Sequence, residues 1–304
     1  MAKHLIIDGN NLLFRCYWSA YHRWHETRPN MYGYFMLNVL KSYVKLFNPS
    51  DIILTWDERK GEDKNDRKDI SEDYKANREY NADVFEFVDD IREILDALGV
   101  RQMYPLNREG DDIMYWLCAI KYPNESILVS TDTDMYQLVR EDLRGNVIYN
   151  PAKKIQVGSS FLKLNYDVDD GREFIIKKAL RGDKADNISG IKGIRNSKIK
   201  NIISILSESS DVESLKASGI LNEEEYETFV RNKSLMMLDE IAEHQEETAF
   251  YEEQMKSELK PNKERFRAAV KRMEYWNIYK NIDRWYKLFQ CESAGGSGNY
   301  YSFF

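Results

Sequence analysis

Three short runs of β-branched and leucine residues, "HLIID", "DIILTW" and "SILVST", punctuate the first half of the chain, each ending in polar residues. Near-continuous apolar runs of this length are the pattern of strands buried on both faces of a parallel sheet. Between them, "MLNVLKSYVKLF" and "VFEFVDDIREILDALG" carry apolar residues at helical spacing, and Gly99 is placed to stop the second. Strand alternating with helix predicts an α/β fold with a mainly parallel central sheet flanked by helices. "RQMYP" and "VIYNP" are candidate edge strands.

From Glu58 to Glu79 almost every residue is polar, with dense charge of both signs, so this stretch is expected outside the core as a solvated surface loop. After about Phe174 the pattern turns helical and stays so to about Gln290, interrupted by "SGIKGI". "SAGGSG" then reads as a flexible linker leading to "NYYSFF". The expected organisation is an α/β core over 1–174, a helical region over 175–290, and a linker with an aromatic tail over 291–304.

Composition narrows the class. A chain of 304 residues with 42% hydrophobic and 31% charged residues is long enough for a substantial core and is not a disordered chain. No run approaches the length of a membrane span, and "MAKHLIIDGNN" reaches an Asp too early for a secretory signal. Cys16, Cys118 and Cys291 are far apart without the paired spacing of zinc or redox sites, so a reducing cytoplasm is expected; His22 and His25 read as loop or surface residues. A net charge of −7, from 44 Lys and Arg against 51 Asp and Glu, argues against a polyanionic partner. That objection falls if many acids share one pocket around bound cations, because the remaining surface is then free to be basic.

The positions of the acids bear on this point. Open α/β sheets bind ligands at the carboxyl ends of their strands. The first run ends at Asp8, the second at Asp57, and the third leads into "STDTD" with Asp132 and Asp134. Glu109, Asp111 and Asp112 open the apolar helix "DIMYWLCAI", and "RGDKADN" adds Asp183 and Asp186. Each has an ordinary explanation; Asp111 or Asp112, for example, suits a helix cap. Together they are harder to dismiss, since two like charges about 4 Å apart repel by roughly 4 kcal/mol at an effective dielectric near 20. Divalent cations remove that cost. An all-oxygen set suits Mg²⁺ or Mn²⁺, and a pair of such ions stabilises attacking and leaving oxygens at phosphorus, so the residues point to a metal-dependent phosphodiesterase acting on nucleic acid.

The ordered set "LIIDGNNLLFR", "TWD", "YKANR", "EGDDIM", "STDTDMYQLV" and "RGDKADNISGIKGI" resembles the structure-specific 5′ nucleases. This family includes flap endonucleases, phage ribonuclease H-type exonucleases and the 5′ nuclease domain of bacterial DNA polymerase I. The resemblance covers roughly the first 195 residues. It implies that Asp8, Asp57, Glu109 and Asp111 surround a first metal and that Asp111, Asp132, Asp134 and Asp183 hold a second, with Asp112 and Asp186 in support. Phe14 and Arg15 match an aromatic ring stacked near the cut and an arginine on phosphate. Lys75 and Arg78 match cations at the base of a helical arch, expected at about 58–85, through or beneath which a single-stranded 5′ end passes; Lys178 is a further phosphate contact. "SGIKGI" resembles a helix-hairpin-helix element for duplex phosphates with a K⁺ ion, implicating Gly190, Gly193, Arg195 and Lys198; "RNSKIK" departs there from the family's usual Gly and Lys. The tail, with Tyr300, Tyr301, Phe303 and Phe304, resembles clamp-binding peptides of replication proteins.

These readings imply a monomeric, cytoplasmic, Mg²⁺-dependent 5′ to 3′ exonuclease and flap endonuclease of a bacterium or phage-infected cell. Its expected substrates are branched DNA and RNA/DNA duplexes, with a sliding clamp and single-stranded-DNA-binding protein as partners and no membrane. Two rival readings fit the same sequence: an RNA-directed metal-dependent nuclease, and a catalytically silent branched-DNA-binding protein. The acidic set opposes the latter, because a protein that only binds phosphate gains nothing from so much negative charge.

Overall fold

A computed structural model describes residues 3–57, 66–77, 82–209, 211–238 and 244–290. The three apolar runs form β1 (His4–Asp8), β2 (Asp51–Thr55) and β4 (Ser126–Val129), with β3 (Arg101–Met103), β5 (Val147–Asn150) and β6 (Ile155–Val157) completing a sheet of order β3-β2-β1-β4-β5-β6. All neighbours are parallel except β5 and β6. The expected edge strand "RQMYP" is an edge; "VIYNP" lies one strand in, covered by the antiparallel β6, whose short "IQV" sequence is too brief to show a period.

Alternate residues of the central strands face opposite layers. Leu5, Ile7, Ile52, Leu54, Ile127 and Val129 join the core beneath α1 (Gly9–Trp24), α2 (Met31–Phe47) and α4 (Val88–Leu98). Ile6, Ile53, Leu128 and Ile148 join the opposite core, with α5 (Gly110–Trp116) and its continuation as a π-helical turn, Leu117–Lys121. Gly99 ends α4 with φ 82°, as its position predicted.

The charged stretch enters the structure as α3 (Asp66–Ile70) and the turns that follow. It is not all solvated: Arg67 and Tyr74 are 3% and 4% exposed. Helix begins before Phe174, with α6 (Ser159–Tyr166) and α7 (Gly171–Arg181). A small antiparallel hairpin, β7 (Gly182–Asp183) and β8 (Ile188–Ser189), separates α7 from α8 (Asn196–Ser209). With α9 (Glu213–Ser218) and α10 (Glu223–Met236) these elements enclose a third core that also takes in Tyr74.

α11 (Gln245–Lys256) then packs through Tyr251 into the second core. Finally α12 (Lys263–Arg272), α13 (Trp276–Tyr279) and α14 (Ile282–Phe289) return to the first, where Phe266, Ile278 and Trp285 pack with residues of α1, α2 and α4. Among the described residues no helix is long and apolar enough to cross a membrane.

Candidate active site

Parallel register brings the ends of β1, β2 and β4 to one edge: Asp8 pairs with Thr55, and Ile7 with both Leu54 and Val129. The connections from β1 and β4 diverge there, to α1 and to the loop before β5, leaving the kind of crevice where open α/β sheets bind ligands. Asp8 doubles as the cap of α1: its Oδ1 accepts from Asn11 N–H at 2.8 Å, while Oδ2 accepts from Ser130 Oγ at 3.0 Å. Asp57 is held from two sides, by Gly110 N–H at 2.9 Å and Asn10 Nδ2 at 2.7 Å. Past β4 the backbone N–H of Asp132 donates to Ser130 Oγ, and that of Asp134 to Asp132 Oδ1 at 2.8 Å.

Electrostatics ties these segments into one cluster. Burial, then the charges of Asp57 and Asp132, push the Asp8 carboxyl up to about 7, against hydrogen bonds from Asn11 and Ser130. Burial also raises Asp57, with Glu109 and Asp111 adding to it; it raises Asp132, with Asp111 and Asp186 contributing. Asp134 reaches about 7 through burial and the nearby Asp132. The structure therefore gathers Asp8, Asp57, Glu109, Asp111, Asp132, Asp134 and Asp186 into a shared field, and Asp183 joins through Lys178, which contacts Asp134 and lies 2.6 Å from Asp183.

At the start of α5 the cap position belongs to Glu109 rather than to Asp111 or Asp112. Asp112, 1% exposed, returns the bond by accepting from Glu109 N–H at 3.0 Å. Burial would raise Glu109, but Arg67 and Lys75 outweigh it and bring the carboxyl to about 2. Glu109 Oε2 accepts from Arg67 at 2.5 Å, Tyr74 at 2.9 Å and Lys75 at 2.7 Å.

Lys75 itself has φ 56°, a left-handed conformation uncommon for a non-glycine residue and frequent at functional sites. Its N–H donates to Asp186 O at 3.0 Å, Asn187 Nδ2 donates to Asp73 O, and Asn77 Nδ2 donates to Lys184 O. "YKAN" and "DKADN", far apart in sequence, thus dock on each other.

The donors are carboxylates alone, buried and mutually repelling, which is the chemistry a hard divalent cation neutralises. Among the described residues no three acidic, His or Cys side chains stand close enough to enclose one ion, and Arg67, Lys75 and Lys178 lie among the acids as counter-charges.

The remaining expected residues fall elsewhere. Phe14 is half-buried, edge-on to Phe85 with centroids 5.7 Å apart, and the Arg15 charge acts on Tyr43, where it opposes the upward push of burial on the phenol. Gly190 lies where a Cβ would come within 2.1 Å of the Arg181 carbonyl, so the hairpin's packing alone demands glycine there. Gly193 has φ 69° with open space around it, and Arg195 is exposed. Lys198 pairs with Glu225 at 2.8 Å, not with the acidic cluster. Arg78, Tyr300, Tyr301, Phe303 and Phe304 lie outside the described residues. Sequence reasoning missed Asn10, Arg67, Tyr74 and Ser130; Tyr74 alone left a signal, as an aromatic residue inside a run otherwise almost wholly polar.

Residues 3–165 match the family described as 5′-3′ exonuclease, N-terminal resolvase-like domain. The 5′-3′ exonuclease of Mycoplasmopsis pulmonis is 29% identical over 203 residues, a span of 66% of this chain and 66% of the relative, just under two thirds of its length. That of Buchnera aphidicola subsp. Schizaphis graminum is 29% identical over 216 residues, 69% of this chain and 72% of the relative. DNA polymerase I of Streptococcus pneumoniae is 29% identical over 203 residues, 62% of this chain but 22% of the polymerase. A bacteriophage T5 protein co-crystallised with metal ions shares the fold, with a TM-score of 0.65 and 21% identity over 83% of this chain and 98% of that chain.

Proposed function

The chain belongs to the 5′-3′ exonuclease family, and on that premise we propose that it is a Mg²⁺-dependent 5′ to 3′ exonuclease and 5′-flap endonuclease. It acts on branched DNA and RNA/DNA duplexes in the cytoplasm, removing RNA primers or displaced strands during replication. One observation carries the reading: carboxylates from separate strands, from the start of α5 and from the β7–β8 hairpin share one electrostatic field at the sheet's C-terminal edge, with Lys75 and Lys178 beside them. The bacteriophage T5 flap endonuclease, alike in fold, was crystallised in a complex with DNA and metal ions, which supports the reading that this chain too binds DNA and metal ions.

Asp8, Asp57, Glu109, Asp111, Asp132, Asp134 and Asp183 would hold two Mg²⁺ ions, or Mn²⁺ in their place, with Asp112 and Asp186 in support. When bound, the ions supply charge neutralisation at the phosphoryl oxygens. Lys75 and Lys178, which lie beside these carboxylates, would position the scissile phosphate, and Arg78 would add a contact at the base of the arch. Phe14 stacks on a nucleotide near the cut and Arg15 meets a phosphate. α7, the β7–β8 hairpin and α8 grip duplex phosphates through the backbone at Gly190 and Gly193 and through Arg195 and Lys198, and this element would also hold a K⁺ ion. The aromatic tail docks on a sliding clamp.

A 5′-flap duplex labelled at either end, incubated with Mg²⁺ and compared with single-stranded RNA, tests the reading. Release of the flap, with RNA left intact, is expected. Cleavage of the RNA with an untouched flap would refute it in favour of an RNA-directed nuclease.

A further inference from the structure

Arg67 is 3% exposed, and a guanidinium cannot lose its charge to make burial tolerable. Its position must therefore be matched by anions, and three are present. Nη1 lies 2.5 Å from Glu109 Oε2 and 3.1 Å from Asp111 Oδ1, and Nη2 lies 3.0 Å from Asp112 Oδ1. One planar fork spans three carboxylates that fall within four positions of the chain. An ammonium, a compact point charge, cannot span them in the same way.

The fork also sorts the oxygens. Glu109 Oε2 takes three donors, Arg67, Tyr74 and Lys75, and Oε1 takes Lys75 as well. Asp112 uses Oδ1 for Arg67 and Oδ2 for the N–H of Glu109, so both its oxygens are engaged. Asp111 gives Oδ1 to Arg67 and keeps Oδ2 unengaged among the described residues. The same stretch of chain, eight positions on, presents Lys75 in its left-handed conformation against Glu109.

We propose that Arg67 is a positioning residue for the metal-binding acids: its guanidinium orients Glu109, Asp111 and Asp112 for the ion and anchors the segment that carries Lys75, so that metal affinity and the placement of that segment are set together. The inference rests on the reading of the acidic cluster as a metal site. It predicts a property of the protein before any substrate is bound.

The test is Mn²⁺ binding to the full chain, followed by electron paramagnetic resonance without nucleic acid, alongside amide hydrogen exchange across residues 66–77. Arg67→Gln is expected to weaken Mn²⁺ binding by about tenfold or more, as loss of an outer partner of a metal ligand does, and to quicken exchange over 66–77. Arg67→Lys, which keeps the charge and loses the fork, is expected to fall between, and it decides the matter should the Gln variant fail to fold. Arg144→Gln, at an exposed and distant arginine, serves as the control with unchanged affinity. A folded Arg67 variant that binds Mn²⁺ as tightly as the wild type would overturn the proposal while leaving the metal site intact. Absence of Mn²⁺ binding by the wild type would instead bring down the metal reading, and the proposal with it.

Discussion

Ser130 donates its hydroxyl to Asp8 Oδ2 over 3.0 Å, joining the end of β4 to the end of β1 across 122 positions of sequence. The same Ser130 Oγ accepts from the N–H of Asp132. One small hydroxyl thus fixes two of the acids relative to each other. Outer partners of this kind hold ligands in register, and their loss typically lowers metal affinity or activity by 10- to 100-fold. Ser130→Ala is expected to reduce Mg²⁺-dependent cleavage by about tenfold with little change in melting temperature. Kinetics over a Mg²⁺ titration would check this; an unaltered rate at limiting Mg²⁺ counts against the role.

Lys178 neutralises two carboxylates at once, Asp134 and Asp183. Burial opposes its charge, yet these partners hold its pKa well above the ordinary lysine range. Removing the cation leaves buried anions unmatched, which costs about 3 kcal/mol or more. Lys178→Met is therefore expected to melt earlier than the wild type in EDTA, and Mg²⁺ should recover a larger part of the loss in the variant than it adds to the wild type. Equal shifts on adding Mg²⁺ would argue against Lys178 as a stand-in for a cation.

The last helices pack on the first core as an integral part of it. Phe266 is fully buried among residues of that core. Phe266→Ala is expected to destabilise the chain by about 3 to 5 kcal/mol, read by urea unfolding, and the whole transition should move as one. A separate early transition would show that the C-terminal helices melt independently.

α12 is also tied to α4 by charge. Glu93 lies below the ordinary carboxylate range, first through its hydrogen bond from Arg272, with Arg265 adding to it and burial opposing. A carboxyl depressed in the folded state contributes stability that is present above its unfolded pKa and lost as pH falls through the folded value. Both side chains are substantially solvated, so the pair is worth no more than about 1 kcal/mol. Arg272→Ala should thus be slightly less stable than the wild type at pH 7, and the gap should close as pH drops below about 4. A gap that persists at pH 3 would mean the arginine acts through packing alone.

How much of this was legible in the sequence depends on where the information lay. The three apolar runs declared parallel strands, and the rule that ligands bind at strand carboxyl ends picked out Asp8, Asp57 and Asp132, which do share one field. Arg67 was not legible. In a run of mixed charge, composition gives every residue the same solvated reading, whereas three carboxylates brought from the start of α5 help to make burial of one arginine tolerable. The cap at α5 went to Glu109 because Asp112 satisfies its N–H from inside the first turn, a reciprocity that depends on side-chain geometry. The return of α12 to α14 onto the first core was equally hidden, since an amphipathic helix shows that it has a buried face but not which core receives it.

The proposed action of the gathered carboxylates, cutting a nucleic-acid strand through divalent cations, is best measured by comparing the wild type with Asp132→Ala on a labelled 5′-flap duplex, scoring cleavage in Mg²⁺ and binding in Ca²⁺. Cleavage by the wild type that EDTA abolishes is expected, together with a variant that holds the duplex as tightly in Ca²⁺ and does not cut it. Cleavage by Asp132→Ala at the wild-type rate, or by the wild type in EDTA, would contradict it.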